Sequence, residues 1–256
     1  MNSAYVCVYR HFFPPPKAIA QTQAAASADP ALATFVERYR AGASYFDWGD
    51  DPSFFSAQQI QGGHEYAAWG VCRPNVRRAL VAGDVVVFFC AKRASPRSTT
   101  TDYFFIGIAT GGEVVVDRSQ IWSKQRYLPY RKHYNVLARY AGGPPVQHET
   151  FFPYHENWLH RLASPYVLFC PDQSRFNLKK PLHVGTSQGG KQEVWRSAQL
   201  PRVKKLENAL FIDLGIKRRL RTSPTGSAHP HINLTRKLLD NKSSPQQLRS
   251  QILPLV

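Results

Sequence analysis

The run Val85-Val86-Val87-Phe88-Phe89-Cys90 constrains the fold more than any other stretch of the chain. It is unbroken, rich in β-branched and aromatic residues, and far too short to cross a membrane as a helix. Gly83-Asp84 turns the chain into it, and the polar segment Ser95–Asp102 follows as a hairpin-type connection. A strand apolar at every position is buried on both faces, so layers must cover it from two sides. Tyr103–Ala109 is its expected partner, with Gly111-Gly112 bending the chain into Glu113-Val114-Val115-Val116. Ala4–Tyr9 alternates as an opening strand, and Pro165–Cys170 and Leu182–Gly185 read as two further short strands.

Helical signals surround this β-pattern. Asp29-Pro30 is an N-cap followed by proline at the first helical position, with Leu32, Phe35, Val36 and Tyr39 at helical spacing and Gly42 as the stop. Residues 18–28 are low in complexity, and residues 43–68 mix aromatics with turn formers, as an irregular packed loop does. Val76–Leu80 reads as a short helix. Leu200, Val203, Leu206, Leu210, Phe211 and Leu214 trace a helical stripe. Asn233 opens a candidate helix through Leu239, and Ser244-Pro245-Gln246-Gln247 has the form of a capping box. These signals predict an α+β chain of one domain over residues 1–256, with a core at about 4–190 and a basic helical part at about 191–256.

Charge narrows the function classes. The 256 residues carry 33 Lys and Arg against 17 Asp and Glu. Residues 175–256 hold 16 basic and 4 acidic residues, a balance of +12; residues 1–174 hold 17 and 13, a balance of +4. A third of the chain this basic attracts polyanions, nucleic acid before all. A solvated basic face is the plain alternative. The clusters at 202–205 and 217–221 lack the Trp/Phe-rich face of an interfacial helix, which argues against a membrane partner. Cysteines 7, 72, 90 and 170 form no CxxC pair and no zinc spacing, so neither metal nor cofactor is expected. No apolar run reaches membrane-span length and the N-terminus has no signal-peptide pattern, so a soluble, cytoplasmic protein is expected.

Four constellations and one lone aspartate are candidates for chemistry. Trp69 with Arg73, Arg77 and Arg78 offers an indole for base stacking and guanidinium forks for phosphate or a guanine edge; alternatively the indole is core and the arginines face water. His64, Glu65 and Tyr66 follow Gly62-Gly63 and can supply base-edge contacts, though a His-Glu pair is more often a loop hydrogen bond. Asp84 can read a base amino group, but its place in a Gly-Asp turn favours a structural role. Trp122, Arg126, Tyr127, Arg131 and Lys132 form an aromatic-basic strip that either contacts single-stranded or flipped nucleic acid or packs on the core. Arg221, Ser223, Thr225 and His229 make a phosphate-cradle pattern without Walker spacing. No nucleophile elbow and no converging carboxylates are present, so no catalytic residue is assigned.

Taken in order, Gly62-Gly63, Cys72-Arg73-Pro74, Arg77, Gly83-Asp84 and Phe105-Ile106-Gly107-Ile108 resemble the PUA-like superfamily, and within it the nucleotide-modification-associated domains, with EVE and ASCH domains more distant. The resemblance covers residues 4–140. It implies a small open β-barrel with flanking helices, whose mouth accepts a flipped or modified nucleobase, encoded near DNA-modification or restriction systems. The insertion at 43–61 departs from that pattern. The expectation is therefore a nucleic-acid-binding protein that recognises a modified base, in DNA before RNA. The alternative is an enzyme acting on nucleotides or nucleic acid, with residues 221–231 as its phosphate site.

Overall fold

β1 (Ala4–Arg10) and β5 (Val85–Lys92) lie side by side in parallel, with Cys7 opposite Phe88. The computed structural model describes residues 3–10, 60–61, 64–69, 74–117, 119–132, 165–177, 180–189, 194–210 and 244–256. Gly83 takes a φ of 89°, a region that costs glycine nothing, and its N–H donates to Gly111 O at 2.7 Å. That turn delivers the apolar run into β5, which pairs antiparallel with β6 (Thr100–Val115), the longest strand among the described residues.

β6 organises the sheet. Its first part pairs with β5 and with β9 (Leu182–Gln188), its middle with β8 (Arg175–Phe176), and its last part with β7 (Tyr166–Phe169). A register shift between Gly111 and Glu113 bends it where the paired glycines stand. β4 (Ala68–Trp69) pairs with β7, and β10 (Val194–Ser197) with β9, completing eight strands. β2 (Ile60–Gln61) and β3 (His64–Glu65) form a separate two-stranded ribbon.

Among the described residues the sheet is α+β in setting and is not closed into a barrel. The sheet runs β1-β5-β6-β7-β4 and does not close. Closure needs strands of matched length and stagger all the way round. The described part of β4, at the end of that order, is two residues long. β10 is a strand within the part expected to be helical.

Both sheet faces are covered, as the apolar run requires. One face holds Tyr5, Cys7, Val86, Phe88 and Ile106 with Trp69, Phe169 and Phe176. It is roofed by α1 (Pro74–Ala79), α2 (Ser119–Ser123), the turn Gln125–Tyr127 and α3 (Leu128–Lys132). The other face holds Val85, Val87, Phe89, Phe105 and Ile108. α4 (Pro201–Leu210) and α5 (Pro245–Ile252) cover it through Val203, Leu206, Leu210, Leu248 and Ile252. α5 starts as its sequence predicts: Gln247 N–H donates to Ser244 Oγ at 3.2 Å, and Ser244 N–H to Gln247 Oε1 at 2.8 Å. Leu200, expected in the stripe of α4, is exposed just ahead of it. The segments 29–42 and 233–239, with Phe211 and Leu214, lie outside the described residues.

Candidate nucleic-acid interface

Antiparallel register places side chains from four strands in one row, because directly opposed residues share a face. Lys92 on β5 faces Asp102 on β6, Asp102 faces Thr186 on β9, and Thr186 faces Arg196 on β10. At the usual strand spacing this row spans roughly 14 Å. The next row runs Tyr9, Cys90, Phe104 and His183, from buried tyrosine to half-exposed imidazole. The buried aromatic face thus ends in a polar patch with a cation at each edge.

The centre of the patch is built on one oxygen. Thr186 Oγ1 donates to Asp102 Oδ1 at 2.5 Å, and His183 Nε2 lies 3.3 Å from the same atom. Thr186 Oγ1 and His183 Nε2 are 3.4 Å apart. The His183 and Asp102 side chains are 39% and 44% exposed, so the cluster is open to solvent. Phe104 lies beside it, its ring centroid 5.1 Å from that of His183 at an interplanar angle of 51°. Asp102 Oδ2 accepts no hydrogen bond among the described residues.

A bulge makes this grouping. Asp102 and Phe104, two apart on β6, face one way. Their partners Thr186 and His183 are three apart on β9, and would face opposite ways on a regular strand. The register shift at Tyr103/Phe104 takes up the extra residue and brings both to one face. Asp102 and His183 are separated by 81 positions, and their spacing leaves no motif; the polar interruptions in otherwise apolar strands were the only signal.

Of the residues singled out from the sequence, those that are described lie on other elements than this row. Trp69 is fully buried, stacked against Phe169 at 28° and edge-on to Phe88 at 77°, so no ring face is left for a base. Its Nε1 has no hydrogen-bond partner among the described residues, as for an indole packed for its ring. The stacking role expected of Trp69 is corrected: β4 pairs with β7 and turns the ring into the core. Arg77 is also fully buried and donates through Nη1 to Pro165 O, so it ties α1 to the start of β7 rather than facing phosphate. Arg78 is exposed on the outer side of α1, and Arg73 lies outside the described residues.

Asp84 is 1% exposed and both carboxylate oxygens are occupied: Ser3 N–H donates to Oδ1 at 2.6 Å and Val81 N–H to Oδ2 at 2.9 Å. It therefore closes its own turn and holds the start of β1, and the base-edge role is withdrawn. Tyr127 is likewise buried, its hydroxyl donating to Glu113 Oε1, which also accepts from Arg126 Nη2 at 2.7 Å. The Arg126 guanidinium lies 4.7 Å from the Tyr127 ring centroid. This network pins the 119–132 segment to β6, leaving Tyr127 no face for stacking. Tyr66 meets Tyr130 edge-on with ring centroids 5.4 Å apart. His64 and Glu65 stand in β3, Trp122 in α2, and Arg131 and Lys132 in α3 by their backbones. Arg221, Ser223, Thr225 and His229 lie outside the described residues.

Among the described residues no group of His, Cys, Asp and Glu could hold a metal, and no helix is long and apolar enough to cross a membrane. Comparison with known proteins finds no matching family model, no matching curated protein and no matching solved structure.

Proposed function

We propose that this chain binds nucleic acid, DNA before RNA, and holds an unstacked base on the open end of its sheet. The observation that carries the reading is the row Lys92–Asp102–Thr186–Arg196, with the Phe104–His183 ring pair beside it. Two cations at the edges suit phosphates, and ring faces between them suit a base, the combination used by sheet-based single-strand binders. The net charge of +16 supplies long-range attraction to a polyanion. Kinship with the PUA-like superfamily, recognition of a modified base, and partners in a modification or restriction system belong to the same proposal. It differs from the sequence expectation in its pocket, which moves from the 69–78 loop and the 122–134 strip to the β5–β6–β9–β10 end.

The test is fluorescence anisotropy at several salt concentrations. The probes are a duplex with plain, methylated, hydroxymethylated or glucosylated cytosine, a modified-adenine duplex, a single strand and an RNA control. Affinity should fall linearly on logarithmic axes with salt, and one modified base should be preferred. The double variant Lys92→Ala with Arg196→Ala should flatten the slope by about 2. Absent or salt-insensitive binding, or a slope the double variant leaves unchanged, would overturn the proposal.

A further inference from the structure

An aspartate at the centre of a cationic row works against phosphate binding, since a carboxylate repels a phosphate oxygen at contact distance. Asp102 nevertheless sits between Lys92 and Arg196, held from two sides. Thr186 and His183 both engage Oδ1, which holds the carboxylate in one rotamer and leaves Oδ2 as its second acceptor, on the face that carries Phe104 and His183. A fixed acceptor beside a stacking surface matches a hydrogen-bond donor at the edge of a stacked base, as acidic side chains match the cytosine amino group.

We infer that Asp102 selects a base bearing an exocyclic amino group over thymine or uracil, with the base laid against Phe104 and His183. The inference rests on the nucleic-acid reading above. It assigns the row two roles: Lys92 and Arg196 at the edges take the backbone, and Asp102 in the middle reads the base. Thymine and uracil present a carbonyl oxygen where cytosine presents its amino group, and that oxygen repels the carboxylate. Thr186 is the positioning residue; losing its hydroxyl frees the carboxylate to rotate.

The experiment uses the full chain and three labelled single strands of equal length: oligo-dC, oligo-dT, and oligo-dC carrying N4,N4-dimethylcytosine, which lacks the donor. Comparing two pyrimidines keeps stacking nearly constant. Wild type should bind oligo-dC about 5-fold more tightly than oligo-dT, the scale of one added hydrogen bond to a half-exposed charged acceptor, and the dimethylated strand should bind like oligo-dT. Asp102→Asn should bring the dC/dT ratio to within about 2-fold while overall affinity holds or rises, because a negative charge has left the row. Thr186→Val should lower the ratio with the charge kept, and a melting curve for each variant checks folding. A wild-type ratio near one, or a preference that survives Asp102→Asn, would overturn this inference and leave nucleic-acid binding standing. No binding to any strand would overturn the underlying reading instead.

Discussion

Replacing Asp84 distinguishes a structural carboxylate from a ligand contact. It is 1% exposed, and its two oxygens accept separate backbone N–H groups, from Ser3 at 2.6 Å and from Val81 at 2.9 Å. Hydrogen bonds to a charged acceptor contribute roughly 1.5–3 kcal/mol each, and these are partly solvated, which places them at the low end. Asp84→Ala should therefore cost about 3 kcal/mol: both donors lose their acceptor, and Ser3, whose carbonyl pairs with Val85 N–H at 2.9 Å, loses its tether. Asp84→Asn keeps one acceptor and turns an amide N–H toward the other donor, so it should cost about half as much. At roughly 2–4 °C per kcal/mol for a chain of this size, Tm should fall by about 6–12 °C for Ala and 3–6 °C for Asn. Urea unfolding with unchanged m supplies the free energies. If Asp84→Ala unfolded within about 0.5 kcal/mol of wild type and lost DNA affinity, the turn-closing argument would fail and Asp84 would return as a base contact.

Two further predictions concern packing and pH. A Cβ on Gly107 would stand 2.5 Å from Arg175 O and 2.6 Å from Phe176 Cδ1, so Gly107→Ala must displace β8 and should cost about 1–3 kcal/mol or more in urea unfolding; a change under 0.5 kcal/mol would refute the close approach. Burial is the leading cause of raised pKa values for Tyr5, Tyr127 and Tyr130, with Tyr130 furthest above the ordinary phenol range. Unfolded tyrosines ionise near pH 10. Above that pH the unfolded chain gives up protons that the folded chain keeps, so stability is intact below about pH 10 and falls as pH rises further. Unfolding measured between about pH 9 and 12 should show this loss, with a shallower slope in Tyr130→Phe; a flat profile would contradict the burial.

The candidate site was only partly legible in the sequence, and the reason differs by residue. Trp69 and Arg77 belong to a stretch whose composition suits nucleic acid, yet composition carries no information about which way a side chain points. The pairing of β4 with β7 turned the indole inward, and the carbonyl of Pro165 took the guanidinium. Asp84 was read correctly as a turn residue because its role is local: Val81 is three positions away. Tyr127 was undecided between surface and core, and Glu113 decided it from 14 positions away. Asp102 reads locally as part of a polar connection and Phe104 and His183 as strand residues, and their grouping with Thr186 is long-range in sequence, so no local pattern marks it.

Local chemistry settled what depends on neighbours along the chain. The apolar run forced a strand covered on both faces, Gly83 and Asp84 set its entry turn, Ser244 and Gln247 capped α5, and the excess of lysine and arginine set the net charge of +16. Tertiary structure alone decided what depends on register. It set the strand order of the described sheet, buried Trp69, and used one extra residue in β9 to bring His183 and Thr186 to the oxygen of Asp102. The physical reason is the two-residue period of a strand: a shift of one residue exchanges its faces, and pairing partners far away in sequence decide where that shift falls.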